Sequence, residues 1–218
     1  MSRKRILGAA VAASLVGMLT LSACAGGPAA APPTSSDAPG SALETANPAP
    51  PDGEVQASGT VMDIGGSIEL CLGAVAESYP PQCSGIPISG WSWDGIEGSE
   101  SSGDVAWGAY AITGTYDGET FTVTQPPLLL ALHDPIAPED PTGGEPGSTP
   151  ESELIAIQDG LPAVFGDDGS VYLGSLPEKG RLWVDVVWDD GTLQAAADED
   201  YGQGVVIIRS ALHEIVAG

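Results

Sequence analysis

Positive charge is almost missing from this chain. Its 218 residues hold 6 Lys and Arg against 30 Asp and Glu, a formal charge of −24. Three of the six, Arg3, Lys4 and Arg5, crowd the first five positions. Phosphate contacts need clustered Lys and Arg, so nucleic-acid binding is excluded. Histidine is equally scarce, with only His133 and His213. Nucleophilic catalysis of the Ser/His/Asp kind needs a histidine held against its nucleophile, and both histidines read as surface or edge residues. With no second cysteine pair, a zinc site has too few ligands. No GxSxG, HExxH, P-loop or three-glycine dinucleotide motif occurs. No catalytic residue, metal or cofactor is expected.

Cysteine is the third scarcity: Cys24, Cys71 and Cys83. The N-terminus explains the odd one. After the basic residues, Ile6 to Leu21 is uncharged and mostly apolar, too short and too rich in Ala and Gly for a permanent span. It closes in Leu21-Ser22-Ala23-Cys24. This is a secretory signal covering residues 1–23, and its end resembles the lipobox of bacterial lipoproteins. The resemblance implies cleavage before Cys24, diacylglycerol on its thiol, and fatty acyl chains such as palmitate. Two or more such chains anchor a protein stably. The expected location is the cell membrane, lipid-anchored on the outer face of the cytoplasmic membrane, with the membrane itself as first partner. The alternative is an ordinary signal peptide whose cleavage site holds a cysteine. In that oxidising setting Cys71 and Cys83 remain as an even pair and are expected to form a disulfide, with free buried thiols as the alternative.

Residues 24–52 are dominated by Ala, Pro, Gly, Ser and Thr and contain no aromatic residue. Such a segment reads as a disordered, semi-extended tether. Removal of the signal takes three basic residues and no acidic one, leaving a formal charge of −27 on the mature chain.

From 53 to 134 glycine and turn residues punctuate short β-branched runs. Ile68, Leu70 and Leu72 alternate with Glu69 and Cys71, and Ile86 and Ile88 with Pro87 and Ser89, a period of two. "VAWGAYAITGTYDGETFTVTQ" reads as a hairpin turning on Asp117-Gly118. Five or six strands without a helix suit a small closed barrel, which hides strand edges. An OB-like barrel is expected, an open sandwich being the alternative. The loop between the two cysteines is stapled at its base and stiffened by Pro80-Pro81. Trp91, Trp93, Trp107, Tyr110 and Tyr116 fall within 26 residues and form a candidate binding surface for a sugar or peptide, or else fill the core.

Residues 135–150 are dense in Pro, Gly and acid and read as a linker. Beyond it, Thr149-Pro150-Glu151 starts a helix that Gly160 and Pro162 should end. "SVYLGS" and "RLWVDVVW" are strands, "TLQAAADEDY" a short helix, and "GVVIIRSAL" an apolar strand placed in mid-sheet. Residues 151–218 thus form a small αββαβ module, half of a ferredoxin-like arrangement. With "LLLALHD" as a preceding strand it would become a complete split βαβ fold. The class is α+β, mainly β.

The block "ELCLGAVAESYPPQCSGIPISGWSWDGIEG", the hairpin "YAITGTYDGETFTVTQ" and the tail "DEDYGQGVVIIRSAL" together resemble lipoproteins of actinobacteria that have no established activity. The resemblance therefore carries over no catalytic residues.

Acidic pairs are plentiful: Asp167-Asp168, Asp189-Asp190 and Asp198-Glu199-Asp200. All sit at turns or a helix end, where solvated carboxylates are ordinary. The expected function is that of a non-catalytic, lipid-anchored surface protein binding an envelope component, protein or glycan. The alternative is a carboxylate-dependent hydrolase acting on envelope glycans, which needs two carboxylates, or one and a histidine, converging in a cleft.

Overall fold

The structure, a computed structural model, describes residues 41–134 and 140–215. The signal, Cys24 and residues 25–40 lie outside the described residues. All that is described falls in one compact unit. Among the described residues no helix is long and apolar enough to cross a membrane.

Seven strands follow one another in the first half: β1 (Val55–Ile64), β2 (Ser67–Cys71), β3 (Ile86–Ser89), β4 (Glu100–Ser102), β5 (Val105–Tyr116), β6 (Phe121–Val123) and β7 (Leu128–Leu129). Five of them close a barrel in the order β1-β2-β3-β6-β5 and back to β1. β3 and β6 run parallel and the other barrel pairs antiparallel. This is the five-stranded OB-like topology that the alternation and the strand count predict. The inward set follows the period of two: Val55, Ala57 and Val61 from β1, Leu70 from β2, Ile86 and Ile88 from β3, Tyr110 and Ile112 from β5. β1 and β2 approach so closely that a Cβ on Gly59 would lie 2.6 Å from the Cys71 carbonyl oxygen. Only glycine fits there.

The β5–β6 hairpin turns one residue later than its Asp-Gly pair suggests. Tyr116 pairs with Phe121, and Asp117 N–H donates to the Thr120 carbonyl, so Gly118 and Glu119 stand at the tip. Asp117 accepts the N–H groups of Glu119 and Thr120, an Asx-type cap that shapes the wider turn.

The second half is α2 (Glu151–Phe165), β8 (Tyr172–Glu178), β9 (Arg181–Val186), α3 (Thr192–Tyr201) and β10 (Val206–Ser210), the expected αββαβ order. Its three-stranded sheet runs β10-β9-β8. β9 and β10 are parallel and directly paired, so nothing splits this βαβ unit. "LLLALHD" serves the barrel instead, as β7 and a 3₁₀ turn at Leu130–Leu132. β10 is an edge strand, not a central one. It can be apolar because Gln194 of α3 covers its edge, accepting Ile208 N–H and donating to the Val206 carbonyl. α2 does not stop at Gly160 or Pro162 but runs on to a Gly166 cap. Pro162 costs about 3 kcal/mol inside a helix. That is offset because Leu161 is fully buried and Val164 and Phe165 pack against the same core.

Two boundaries differ from the expectation. Residues 41–52, placed in the tether, are a folded strap. α1 (Ser41–Thr45) lays Leu43 into the core formed by α2, α3 and β9, where it is 2% exposed. Asp200 accepts the N–H groups of Ala42 and Leu43, Asp190 accepts Ala49 N–H, and the Trp188 indole donates to the Ala49 carbonyl. Composition hides this because one leucine and its backbone groups do the docking. The linker is also tied from Asp140 onward: Gly147 and Thr149 N–H donate to Lys179 and Gly180, and Arg181 donates to the Glu145 carbonyl.

The halves share a core. Val187 and Leu212 belong to the same buried cluster as the barrel residues Phe121 and Tyr116. β11 (His213–Glu214) then joins the barrel sheet by pairing with Val55 and Gln56 of β1.

Candidate functional site

The five aromatics do not form one surface. Trp91 and Trp93 meet edge-to-face and Tyr110 is tilted against both, with Trp91 5.2 Å from each of the other two rings. This cluster packs on the barrel interior, and Tyr110 is buried with its hydroxyl on the Glu97 carbonyl. Trp107 lies on the opposite, outer face with Met62 and Cys71, beneath the stapled loop. Tyr79 of that loop meets it edge-on at 5.6 Å. Tyr116 sits at the β5–β6 hairpin, its hydroxyl on the Gly118 carbonyl. Burial, then the Asp117 and Glu119 charges, push its phenol up to about 12. Trp107, Tyr110 and Tyr116 are all buried. Core packing claims these aromatics because a small barrel needs bulky side chains to fill it.

Cys71 and Cys83 form the expected disulfide, with Cα atoms 6.1 Å apart. The loop between them is further pinned by an Ala76–Gln82 bridge. It covers part of the outer barrel wall through Val75 and Cys83.

Five of the seven clustered carboxylates, Asp168, Asp189, Asp190, Asp198 and Asp200, accept backbone N–H groups. Asp189 accepts the Leu193 and Gln194 N–H groups at the start of α3. Asp198 accepts from Gly204 N–H and the Gln194 amide. Asp200 holds the strap. Hydrogen bonds from Ser170 hold the Asp168 carboxyl below its usual range, and bonds from Thr192 and Ala49 do the same for Asp190. A carboxyl held low, as those of Asp168 and Asp190 are, is the opposite of a general acid. Among the described residues no group of three His, Cys, Asp or Glu could hold a metal ion.

A different place gathers hydrogen-bonding side chains. On one edge of β1, β11 covers Val55 and Gln56 and β2 covers Thr60–Ile64, so Ala57, Ser58 and Gly59 lie in a break between partners. A hollow of about 360 Å³ opens there, between the barrel and the three-stranded sheet. Gln56 and Ser58 line one side, Leu72 and Leu173 part of its apolar lining, and Asp185, Arg209 and His213 the other. A second hollow of about 550 Å³ runs on past Ile207, Ile208 and Arg181. The two share Arg209, Ser210 and His213. Arg209 grips Asp185 with two bonds of 2.8 and 2.9 Å and lies 5.3 Å above the Trp183 ring. Both partners stay partly open, with side chains 28% and 44% exposed. Two of the three basic residues beyond position 5 line this cleft. Sequence reasoning missed it because the cleft is assembled from β1, β9, β10 and β11, which are far apart along the chain. The one available signal was the rarity of Arg181 and Arg209 in so acidic a sequence.

No family model, no curated protein and no solved structure matches this chain.

Proposed function

We propose that the protein is a lipid-anchored, non-catalytic component of the cell surface, and that it binds an envelope component or protein partner in the cleft around Arg209. The signal and lipobox at Cys24 support the anchor. One observation carries the binding reading: Arg209, one of the chain's scarce basic side chains, meets Gln56, Ser58 and its partner Asp185 in a hollow at the junction of two modules. Ligand sites favour such junctions. Asp189 and Asp200 are engaged outside the cleft, and Asp198, which lines the larger hollow, is bonded to Gly204 N–H and the Gln194 amide, so the cleft has the makings of a grip more than of a reaction.

A second reading has one observation in its favour. Asp185 and His213 line the same hollow, which is the pairing a glycan hydrolase would need. Against it, both oxygens of Asp185 are bonded to Arg209.

Capture from envelope extracts tests both. The full chain should retain a component that Ser58→Trp, which sets an indole into the smaller hollow, fails to retain. Equal capture by both proteins would refute binding in the cleft. Release of new reducing ends from wall glycan by the native protein, abolished in Asp185→Asn, would replace the binding reading with the hydrolase.

A further inference from the structure

We infer that the cleft takes an uncharged polyhydroxylated ligand, a neutral segment of envelope polysaccharide. This rests on the binding reading above and names the chemistry of its ligand.

Charge is the first consideration. In the smaller hollow Arg209 is already neutralised by Asp185, and the larger one is lined by Arg181 and Asp198, so each holds one charge of either sign while the rest of the chain repels an anion. A cation finds the Asp185 carboxylate taken. An uncharged ligand suffers neither penalty.

Geometry is the second. Guanidinium, carboxylate and amide are flat groups that present hydrogen-bonding atoms side by side. Neighbouring hydroxyls on a sugar ring present the matching pair. Around one hollow Gln56 offers its amide, Arg209 the N–H groups left over from its two bonds to Asp185, and Ser58 a hydroxyl that can donate or accept. Trp183 holds the guanidinium from below, so little side-chain freedom remains to be lost on binding. The Trp183 indole nitrogen is itself buried with no hydrogen-bond partner. Two hollows meeting at Arg209 suit a chain of sugars, and each is within the size range of ligand pockets, about 300–1,000 Å³.

An extended peptide fits less well. Strand addition needs a row of free backbone groups along an edge. On β10 the Val206 carbonyl and Ile208 N–H are already occupied by Gln194, and the strand ends at Ser210. The remaining row is too short to register a partner strand.

The test uses the full-length acylated chain in detergent micelles. Glycans released from the envelope of the producing cell are separated by anion exchange into neutral and acidic fractions and immobilised. The neutral fraction should retain the protein. Arg209→Ala/Asp185→Ala, which removes both charges together, should weaken retention by roughly ten-fold or more, and Gln56→Ala by a few-fold, about the loss of one or two hydrogen bonds. Near-ultraviolet circular dichroism confirms that each variant is folded. Retention by the acidic fraction alone, by neither fraction, or by the neutral fraction with no effect of either variant overturns the saccharide. If neither fraction binds but an envelope protein is captured and lost in the same variants, the saccharide falls while the cleft remains the binding site. If an envelope component is captured equally by native protein and variants, both fall.

Discussion

Replacing Leu43 by alanine tests whether the strap is part of the fold. Leu43 is 2% exposed and shares a core with Leu154, Leu161 and Leu193. Truncating a buried leucine removes its transfer free energy and leaves a cavity, about 2–5 kcal/mol in well-packed sites. Because α1 is only five residues long and can settle inward, the lower half of that range is expected, about 2–3 kcal/mol. For a chain of this size each kcal/mol lowers Tm by about 2–4 °C, so a fall of roughly 4–12 °C follows. Urea unfolding followed by tryptophan fluorescence suits the purpose, since the Trp188 indole is bonded to Ala49 of the strap. Deleting residues 25–40 from the mature chain serves as the control and should leave the midpoint unchanged. A Leu43→Ala midpoint within error of the native one would show that residues 41–52 are the loose tether their composition suggests, and the reasoning would fail.

Replacing both Cys71 and Cys83 by alanine should lower stability by about 3 kcal/mol, as for other loops of this length, read as a shift in urea midpoint. Asp189→Ala removes the acceptor of two N–H groups at the start of α3 and should cost about 1 kcal/mol in the same assay. Tyr116 has its pKa raised from 10.0 to about 12, so the native state keeps a proton that the unfolded chain releases. Its contribution is complete below pH 10 and is lost as pH rises toward 12. Tyr116→Phe should therefore flatten the alkaline fall in Tm across that window, and an unchanged profile would assign the fall to other groups.

Where burial and period coincide, residues announced their own places. Leu70 and Ile86 could be set on the buried face of strands from alternation alone, and Leu193, Ala196 and Ala197 on the inward face of a helix from their spacing. The cysteine pair followed from arithmetic and compartment. What failed was what depends on distant partners. Nothing local to Leu43 says that α2 and α3 leave a slot for it. Pro162 signals a helix end, and only the core that receives Leu161 overrides it. β10 reads as central because its apolar run is long, yet Gln194, twelve positions before Val206, seals its edge. The aromatic cluster could not be sorted into lining and surface without the barrel's curvature. The cleft was the least legible feature, since Gln56 and Arg209 come together only after the last strand has crossed back to the first sheet.

That return crossing has a consequence for what holds the barrel together. Val187 and Leu212 belong to its buried cluster, and His213–Glu214 pairs with Val55–Gln56. The barrel closes through β1 and β5, but Leu212 and β11 reach it only after the chain has passed through the whole three-stranded sheet. Leu212→Ala should thus loosen the barrel core and, with it, the seat of β11 on β1, although the residue lies a whole module away along the chain.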